Sequence, residues 1–420
     1  MQMVTQWAKT AFLAGLEGVQ GGTLTLECPD RTYVFGAPAD LQARLTVHDE
    51  RFFLRALSGG QIGLGESFMD GDWTTPDLVP LARLMLRSRQ ALDSQTRITG
   101  ALRQVAGGIA RRLRDNSLAG SRRHIHRHYD LGNEFFRIFL DAELLMYSCA
   151  AFESPADSLE QAQARKVDRI CRTLELGPSD HVLEIGSGWG GFASWAATRY
   201  GCRVTTTTIS DEQYRHVRDL RERLGDAGSR IEVLHADYRE LSGRYDKVVS
   251  IEMFEAVGLR HYDDYFSAVD RILAPDGAMF LQTITVDDQW FPRYHGTPDW
   301  IERYIFPGGE LASVGEILKS LSRTTTLSMY HAENLGTHYA RTLRAWRDRF
   351  HRHLDRVRAL GFDDRFIRMW DLYLGSCEAA FLERHTGLFQ LMLVKNGSRQ
   401  TRFNEPWAEA RPAGARESAA

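Results

Sequence analysis

The sequence has no uninterrupted apolar run close to the ~18 residues that a membrane-spanning helix needs. The apolar stretch at residues 1–14 is too weak for a secretory signal peptide. The five cysteines are widely spaced and form no CxxC pair, so neither a disulfide framework nor a metal site is predicted. These absences predict a soluble protein of a reducing compartment, the cytoplasm.

The formal net charge is only −3, which argues against a nucleic-acid-binding protein. The charge is unevenly spread, however, because residues 87–127 carry many arginines against only Asp93 and Asp115. Guanidinium groups bind phosphate oxygens well, so this segment is a candidate for contact with an anionic membrane surface. The alternative is an ordinary solvated face in a chain that prefers arginine to lysine throughout.

Residue patterns divide the chain into a small first unit and a larger second one. Residues 1–92 predict a small α+β unit, with strands where polar and apolar residues alternate at 22–28 and 41–47. Clustered glycines at 59–71 predict a loop-rich stretch, and an amphipathic helix is predicted over 78–89. This unit is our candidate for lipid or membrane docking.

The larger unit, 125–398, is predicted to lie between a basic helical linker at 93–124 and a disordered tail at 399–420. In it, short apolar strands alternate with helices of ten or more residues, which predicts an α/β fold with a parallel sheet covered on both faces. The predicted strands are 181–185, 203–209, 231–235, 245–251, 278–285, 324–330 and 388–395. The predicted helices are 191–200, 211–224, 263–273, 339–357 and 364–383.

The strongest local pattern stands where the first of these strands turns into a helix. It reads Val182-Leu183-Glu184-Ile185-Gly186-Ser187-Gly188-Trp189-Gly190-Gly191. Glycines let the backbone approach a ligand closely, and a helix N-terminus offers free N–H groups, so a nucleotide-type ligand is predicted. The pattern also fits the dinucleotide GxGxxG, but the next strand ends in Thr208-Ile209-Ser210 without the acid that binds the NAD ribose. An NAD-dependent oxidoreductase and a purely structural turn remain as alternatives.

An acid two residues before GxGxG is the pattern of class I S-adenosylmethionine-dependent methyltransferases, which this segment resembles. Over most of its length the chain resembles the cyclopropane-fatty-acyl-phospholipid synthases and the mycolic acid cyclopropane synthases. The matching blocks are residues 63–73, 128–136, 146–150, 161–166, 182–191, 208–213, 253–258, 304–309 and 338–346. The resemblance implies a class I methyltransferase Rossmann-like sheet covered by helices, with a smaller N-terminal α+β domain.

The activity that the resemblance implies is one-carbon transfer from S-adenosylmethionine to the double bond of an unsaturated phospholipid acyl chain, forming a cyclopropane. An alkene is a poor nucleophile, so catalysis depends on positioning. The carbocation left by methyl transfer must be shielded from water and lose a proton to a base. Transient contact with the inner membrane face and a homodimer are the implied associations. Aromatic rings can stabilise the cation, and the candidates are Tyr129, Phe136, Tyr147, Trp189, Phe254 and Tyr339.

The resemblance also implies which residues hold S-adenosylmethionine. Asp237 and Tyr238 follow the third strand of the larger unit, where that fold places adenine contacts. The full candidate set is Tyr147, Ser148, Glu184, Gly186, Ser187, Gly188, Trp189, Gly190, Thr208, Ser210, Gln213, Asp237 and Tyr238.

In this family the base resembles a bound bicarbonate, held by a glutamate, a histidine, a tyrosine and backbone amides near a cysteine. Glu255 matches the glutamate, Tyr339 the tyrosine, and Cys149 the cysteine whose backbone N–H faces the anion. Cys377 matches a C-terminal cysteine sometimes assigned a catalytic role. Each has a structural alternative: Glu255 as the first-turn acid of a helix, Tyr339 as core, and the cysteines as small buried hydrophobes.

One position departs from the family. Where many members carry histidine, this chain has Gln282, followed by Ile284, which is also a candidate catalytic residue. The Gln282 amide can donate a hydrogen bond to an anion but cannot take up a proton, so the implied bicarbonate site is weakened. The identity of the product is also left open. Loss of a different proton from the cation gives a methylene branch, and later reduction of that branch gives a methyl branch.

Overall fold

The structure, a computed structural model, describes residues 2–95, 131–295 and 299–398. Most of the predicted linker at 93–124, the predicted tail at 399–420 and the start of the block at 128–136 lie outside the described residues.

The first unit is a four-stranded sheet with three helices. In chain order its elements are α1 (Gln2–Leu16), β1 (Gly22–Glu27), β2 (Thr32–Gly36), β3 (Leu41–Val47), α2 (Arg51–Met69), β4 (Trp73–Thr74) and α3 (Leu78–Gln95). The strands lie in the order β2-β1-β3-β4, with β1 parallel to β3 and the other pairs antiparallel. Alternate residues of β1 and β3, such as Leu24, Leu26 and Leu45, are buried against Phe52 and Phe53 of α2.

One strand of this unit was not predicted, and one prediction was wrong. The chain between β1 and β3 contains β2, which the sequence pattern did not reveal. The glycine-rich stretch at 59–71 belongs almost entirely to α2, whose regular geometry breaks only at Gly60, with φ +56°. Gly65 shows the reason, because a Cβ there would lie 2.4 Å from a ring carbon of Trp300. The absence of a side chain at Gly65 thus lets α2 pack closely against Trp300, so this glycine serves helix packing and does not mark a loop.

The second unit contains the remaining α-helices and β-strands of the described residues. In chain order they are α4 (Asn133–Phe136), α5 (Leu159–Thr173), β5 (His181–Ile185), α6 (Gly191–Trp195), β6 (Arg203–Thr208), α7 (Asp211–Arg223), β7 (Ile231–His235), β8 (Tyr245–Ile251), α8 (Tyr262–Ile272), β9 (Leu273–Val286), α9 (Phe291–His295), α10 (Trp300–Tyr304), α11 (Val314–Thr324), β10 (Leu327–Asn334), α12 (Gly336–Arg352), α13 (Leu354–Ala359), α14 (Asp364–Leu382) and β11 (Thr386–Lys395). A π-helical turn, Ala196–Tyr200, continues α6.

Seven strands form the large sheet, in the order β10-β11-β9-β8-β5-β6-β7. The five strands from β9 to β7 are parallel, as predicted, whereas β11 pairs antiparallel with both β9 and β10, a direction that the sequence patterns did not predict. The strand order reverses between β5 and β8. In open α/β sheets, the crevice at the carboxyl ends of the strands beside such a point is where ligands bind.

The two units pack directly on each other. Arg83 and Arg87 of α3 donate to the Glu383 carboxylate at 2.6 and 2.8 Å, and Arg365 of α14 donates to Asp70 at 2.9 Å. The predicted fold class, an α/β sheet covered by helices with a smaller α+β unit before it, is confirmed. Among the described residues, no helix combines the length and apolar character needed to cross a membrane.

Candidate active site

Three loops meet at the carboxyl edge of the large sheet, after β5, β6 and β7. The backbone N–H groups of Gly186 and Ser187 donate to the Thr207 carbonyl at 3.0 and 2.9 Å. The Thr207 hydroxyl in turn donates to the Ala236 carbonyl at 2.5 Å. The glycine motif is therefore held in register with the ends of the two neighbouring strands.

The glycines of this motif adopt backbone conformations that other residues avoid. Gly186, Gly188 and Gly190 have φ values of +96°, +50° and +85°. A Cβ at Gly188 would meet no atom of the described residues within 4 Å, so these residues leave open space directly over this glycine. This geometry fits a ligand that lies against the backbone of the loop.

Polar side chains after the first two strands tie the loops together. Glu184 is buried and accepts a hydrogen bond from the Thr206 hydroxyl at 2.6 Å, and burial raises its pKa to about 8. Thr208 donates to the Gln213 side chain at 2.8 Å. Ser210 caps α7 by accepting from the Gln213 backbone N–H at 3.3 Å. These predicted cofactor residues therefore lie together at one edge of the sheet.

Asp237 and Tyr238 follow β7 at the same edge. The Asp237 carboxylate accepts two hydrogen bonds from the Arg239 guanidinium, at 2.7 and 2.9 Å. Tyr238 is buried with its ring 5.0 Å from that of Tyr265. Both residues thus lie at the carboxyl edge of the sheet, with the Asp237 charge already paired by an arginine.

Tyr147, Ser148 and Trp189 are each hydrogen-bonded to a residue of a helix, on α14, α5 and α4 respectively. Ser148 accepts a hydrogen bond from Lys166 at 2.7 Å, and burial lowers the pKa of this lysine to about 8. The Tyr147 and Tyr373 hydroxyls lie 3.0 Å apart. Trp189 donates to the Asn133 side chain at 2.7 Å.

A carboxylate that the sequence analysis missed lies at the centre of the predicted catalytic residues. Glu252 follows β8 directly, and its Oε1 accepts from the Cys149 backbone N–H and from the Gln282 amide, both at 2.8 Å. Its Oε2 accepts from the Tyr339 hydroxyl at 2.6 Å. The signal that could have found Glu252 is an acid at the carboxyl end of a parallel strand beside the glycine loop.

Glu255 does not join that cluster. Its Oε1 accepts from the Ile284 backbone N–H at 2.6 Å and from the Thr283 hydroxyl at 3.1 Å. Its Oε2 is buried without a hydrogen-bond partner among the described residues. Burial, and then the charge of Glu252, raise the pKa of Glu255 to about 8. The structure therefore divides the predicted catalytic set between two carboxylates.

The two candidate cysteines differ in position. Cys149 presents its backbone N–H to Glu252, whereas Cys377 lies on α14 and packs against the aromatic cluster without contacting Glu252. Burial, and then the charge of Glu252, raise the pKa of the Cys149 thiol well above its usual value. Burial raises the pKa of Cys377 to about 12. Both groups are therefore thiols rather than thiolates at neutral pH.

Aromatic rings form one wall beside Glu252. Phe136 lies 5.3 Å from Tyr147 and 4.9 Å from Trp189. The Trp346 ring lies 5.3 Å from Tyr147 and 6.1 Å from Tyr339. Two of the proposed cation-stabilising residues do not belong to this wall as described: Phe254 packs in a different cluster, and Tyr129 lies outside the described residues.

Comparison with known proteins identifies the family. Residues 116–391 match the family model described as mycolic acid cyclopropane synthetase. The chain is 39% identical over 345 residues to tuberculostearic acid methyltransferase UfaA1 of Mycobacterium tuberculosis, covering 80% of each chain. It is 37% identical over 372 residues to the cyclopropane-fatty-acyl-phospholipid synthase of Escherichia coli K12, covering 87% of this chain and 91% of that protein.

Solved structures of cyclopropane synthases support the same family assignment. The Mycobacterium tuberculosis cyclopropane synthase MmaA2 superposes with a TM-score of 0.60 at 31% identity, covering 65% of this chain and 98% of that one. The mycolic acid cyclopropane synthase CmaA1, solved with SAH and CTAB, gives the same values. These matches confirm the class I methyltransferase fold and argue against an NAD-dependent oxidoreductase. The chain belongs to the mycolic acid cyclopropane synthetase family and is an S-adenosylmethionine-dependent methyltransferase related to the cyclopropane-fatty-acyl-phospholipid synthases.

Proposed function

We propose that the enzyme adds a one-carbon unit to the double bond of an unsaturated phospholipid acyl chain and closes a cyclopropane ring. The observation that carries this proposal is the hydrogen-bonded Glu252 carboxylate, which lies beside an aromatic wall and next to the glycine loop. Such a site combines a base with rings that exclude water and stabilise positive charge. Both are needed to complete addition to an alkene.

The residues at the carboxyl edge of β5, β6 and β7 fit S-adenosylmethionine. This cofactor, when bound, supplies a methyl group on a positively charged sulfur. The open backbone at Gly188 would take the part of the ligand nearest the loop, and Asp237 and Tyr238 would border its far end. Lys166, Ser148 and Tyr147 would line the side that faces the acyl chain.

The alternative product is a methyl or methylene branch on the same acyl chain. It is favoured by the 39% identity to a protein named a methyltransferase of tuberculostearic acid, and by Gln282. If hydride moves to the cationic carbon, the charge passes to the carbon that bears the new methyl group. Loss of a methyl proton from that second cation leaves a methylene branch, whereas its loss from the first cation closes the ring.

Lipid analysis tests the function and separates the products. The enzyme, S-adenosylmethionine and vesicles of an unsaturated phospholipid should yield a lipid heavier by one CH₂, with ring protons upfield of ordinary chain methylenes in the NMR spectrum. Vinylidene protons would show the methylene branch instead. A matched reaction with a fully saturated phospholipid should give no product. Equal product from the saturated lipid would contradict the proposal.

We further propose that α1 docks on the membrane that contains the substrate. Met3, Val4 and Trp7 share one face of this helix and are 87%, 53% and 66% exposed. Tryptophan prefers the membrane interface, and the mid-chain double bond of a phospholipid lies inside a bilayer. The basic segment at 87–127, most of which lies outside the described residues, would add attraction to anionic lipid.

Vesicle sedimentation tests this docking. Trp7→Ser should weaken binding at least ~10-fold, because removing one large buried side chain costs well over ~1.4 kcal/mol. Val34→Ser, which changes another exposed apolar residue (65%) on β2, is the matched control. Binding should also strengthen with anionic lipid and weaken with salt. Equal loss in both variants would contradict docking through α1. Assembly as a homodimer remains a prediction for light scattering.

A further inference from the structure

The bicarbonate that the family resemblance implies does not fit this site, because the donors expected to hold it are already used. The Cys149 backbone N–H, the Gln282 amide and the Tyr339 hydroxyl all donate to the Glu252 carboxylate, at 2.6 to 2.8 Å. Bicarbonate and a carboxylate share the same planar pair of acceptor oxygens. A side chain of the protein thus fills the anion position.

The backbone at Glu252 supports a special role for this side chain. Its φ of +52° lies in the left-handed region, which a residue other than glycine adopts only at a cost of roughly 1–3 kcal/mol. The Glu252 backbone N–H donates to the Gln282 carbonyl at 2.8 Å, which fixes the peptide in place. Glycine would satisfy this conformation without strain. The chain carries a carboxylate there despite the cost.

A relay of hydrogen bonds fixes the orientation of the Gln282 amide. Arg169, which can only donate, binds the Gln390 oxygen at 3.0 Å, so the Gln390 nitrogen faces the Gln282 oxygen at 2.9 Å. The Gln282 nitrogen is then left to face Glu252 at 2.8 Å. The last group of the relay, the Gln282 nitrogen, is a donor and needs an acceptor, which the ionised Glu252 carboxylate supplies. Glutamine, which departs from the histidine of many family members, is suited to this arrangement.

Opposing influences act on the basicity of Glu252. Burial raises its pKa, while the hydrogen bonds from Tyr339, Cys149 and Gln282 and the charge of the buried Lys166 lower it. The net direction is upward, so this carboxylate is a stronger base than an exposed one, yet three donors stabilise its ionised form. A general base at neutral pH requires this combination.

We propose that the Glu252 carboxylate is the base of the reaction and replaces bicarbonate in this enzyme. The inference rests on the proposed addition to an alkene. After the methyl group has bonded to one alkene carbon, the other carbon carries the positive charge. A Glu252 oxygen takes a proton from the methyl group, the C–H electron pair forms the bond that closes the ring, and Glu252 becomes a neutral acid. The proton then passes to solvent.

The test compares wild type, Glu252→Gln and Glu252→Gly in carbonate-free buffer, with and without added bicarbonate. Wild type should be unaffected by removing bicarbonate, and Glu252→Gln should be at least ~100-fold slower, the lower range of general-base effects. Glu252→Gly relieves the backbone strain and frees the three donors, so bicarbonate should restore its rate at least ~10-fold. Glu66→Gln is the matched control, since Glu66 also accepts from a tyrosine hydroxyl, that of Tyr304 at 2.5 Å.

Calorimetric titration with bicarbonate gives a readout that does not depend on turnover. Glu252→Gly should bind the ion and wild type should not. A wild-type rate that falls tenfold without bicarbonate, or bicarbonate binding to wild type, would overturn the inference. So would a Glu252→Gly variant that neither binds bicarbonate nor is restored by it. If wild type forms no product on unsaturated lipid, the proposed function fails, while the titration still decides which anion the site holds.

Discussion

Tyr339→Phe provides a test of how the site controls its base. The change removes only the hydroxyl that donates to Glu252 Oε2 at 2.6 Å. Among the hydrogen bonds that lower the pKa of Glu252, this one has the largest effect. Without it the ionised form loses stabilisation, so the pKa of Glu252 rises further and the carboxylate is protonated at a higher pH.

The magnitude follows from the kind of hydrogen bond. A bond to a charged group contributes ~1.5–3 kcal/mol, which corresponds to a ~10- to ~150-fold fall in rate at a pH where Glu252 must lose a proton to act. The acid limb of the pH profile should therefore move to higher pH. At high pH, where Glu252 is ionised in both proteins, the rates should differ much less. The other titratable groups facing Glu252 are Lys166, Cys149 and Glu255, and none of them is altered.

The assay is the pH profile of kcat/KM with unsaturated phospholipid vesicles. Tyr265→Phe is the control, because it removes another fully buried hydroxyl, on a ring 5.1 Å from Phe254, without touching Glu252. Thermal unfolding should be recorded for both variants. If the two variants lose rate equally at all pH values, Tyr339 acts only through packing and the reasoning fails.

Three further predictions concern the cofactor loop, the buried acid and the glutamine. Gly188→Val should abolish S-adenosylhomocysteine binding in a thermal-shift assay, whereas Gly225→Val, with φ +55° and surroundings equally free of described atoms, should not. Glu184, whose pKa burial raises to about 8, favours folding while protonated, so ligand-free stability should fall as the pH rises from the unfolded value of 4.5 toward 8. Glu184→Gln should remove up to ~1.4 kcal/mol per pH unit of that slope in urea titrations. Gln282→His should lower the rate. It should leave the ratio of ring to branched product, measured by NMR, unchanged, because the imidazole still donates a hydrogen bond. A changed ratio would show that this position directs the loss of the proton.

Most of the large sheet could be predicted from the sequence because its strands have a clear residue pattern. The strands at β5, β7 and β8 begin and end as predicted, since short β-branched and apolar runs stand between strong helical patterns. The antiparallel pairing of β11 could not be predicted, because the direction of a strand depends on the path of the connection that precedes it and not on the strand's own composition. β2 was missed for a different reason. Thr32–Gly36 has only one buried residue, Phe35, so the strand shows no alternation of buried and exposed positions.

The site was predictable in its parts but not in its assembly. Cys149, Gln282 and Tyr339 do meet around a carboxylate, yet the carboxylate is Glu252 rather than Glu255. The two acids are three residues apart after β8, and a family block starting at Met253 contains only the second. Which one reaches the donors is decided by the left-handed turn at Glu252, a backbone feature that composition does not reveal.

The difference between the two acids assigns their protonation states. Glu252 has donors on both oxygens and the charge of Lys166 in its favour, whereas Glu255 has two donors on one oxygen and none among the described residues on the other. Two carboxylates that raise each other's cost of ionisation divide into one charged and one neutral group. We therefore expect Glu255 to hold the proton and Glu252 the charge. Glu255→Gln should remove a protonated-carboxyl band from the infrared spectrum at neutral pH, and Glu252→Gln should not; the reverse pattern would place the charge on Glu255 and contradict the assignment of Glu252 as the base.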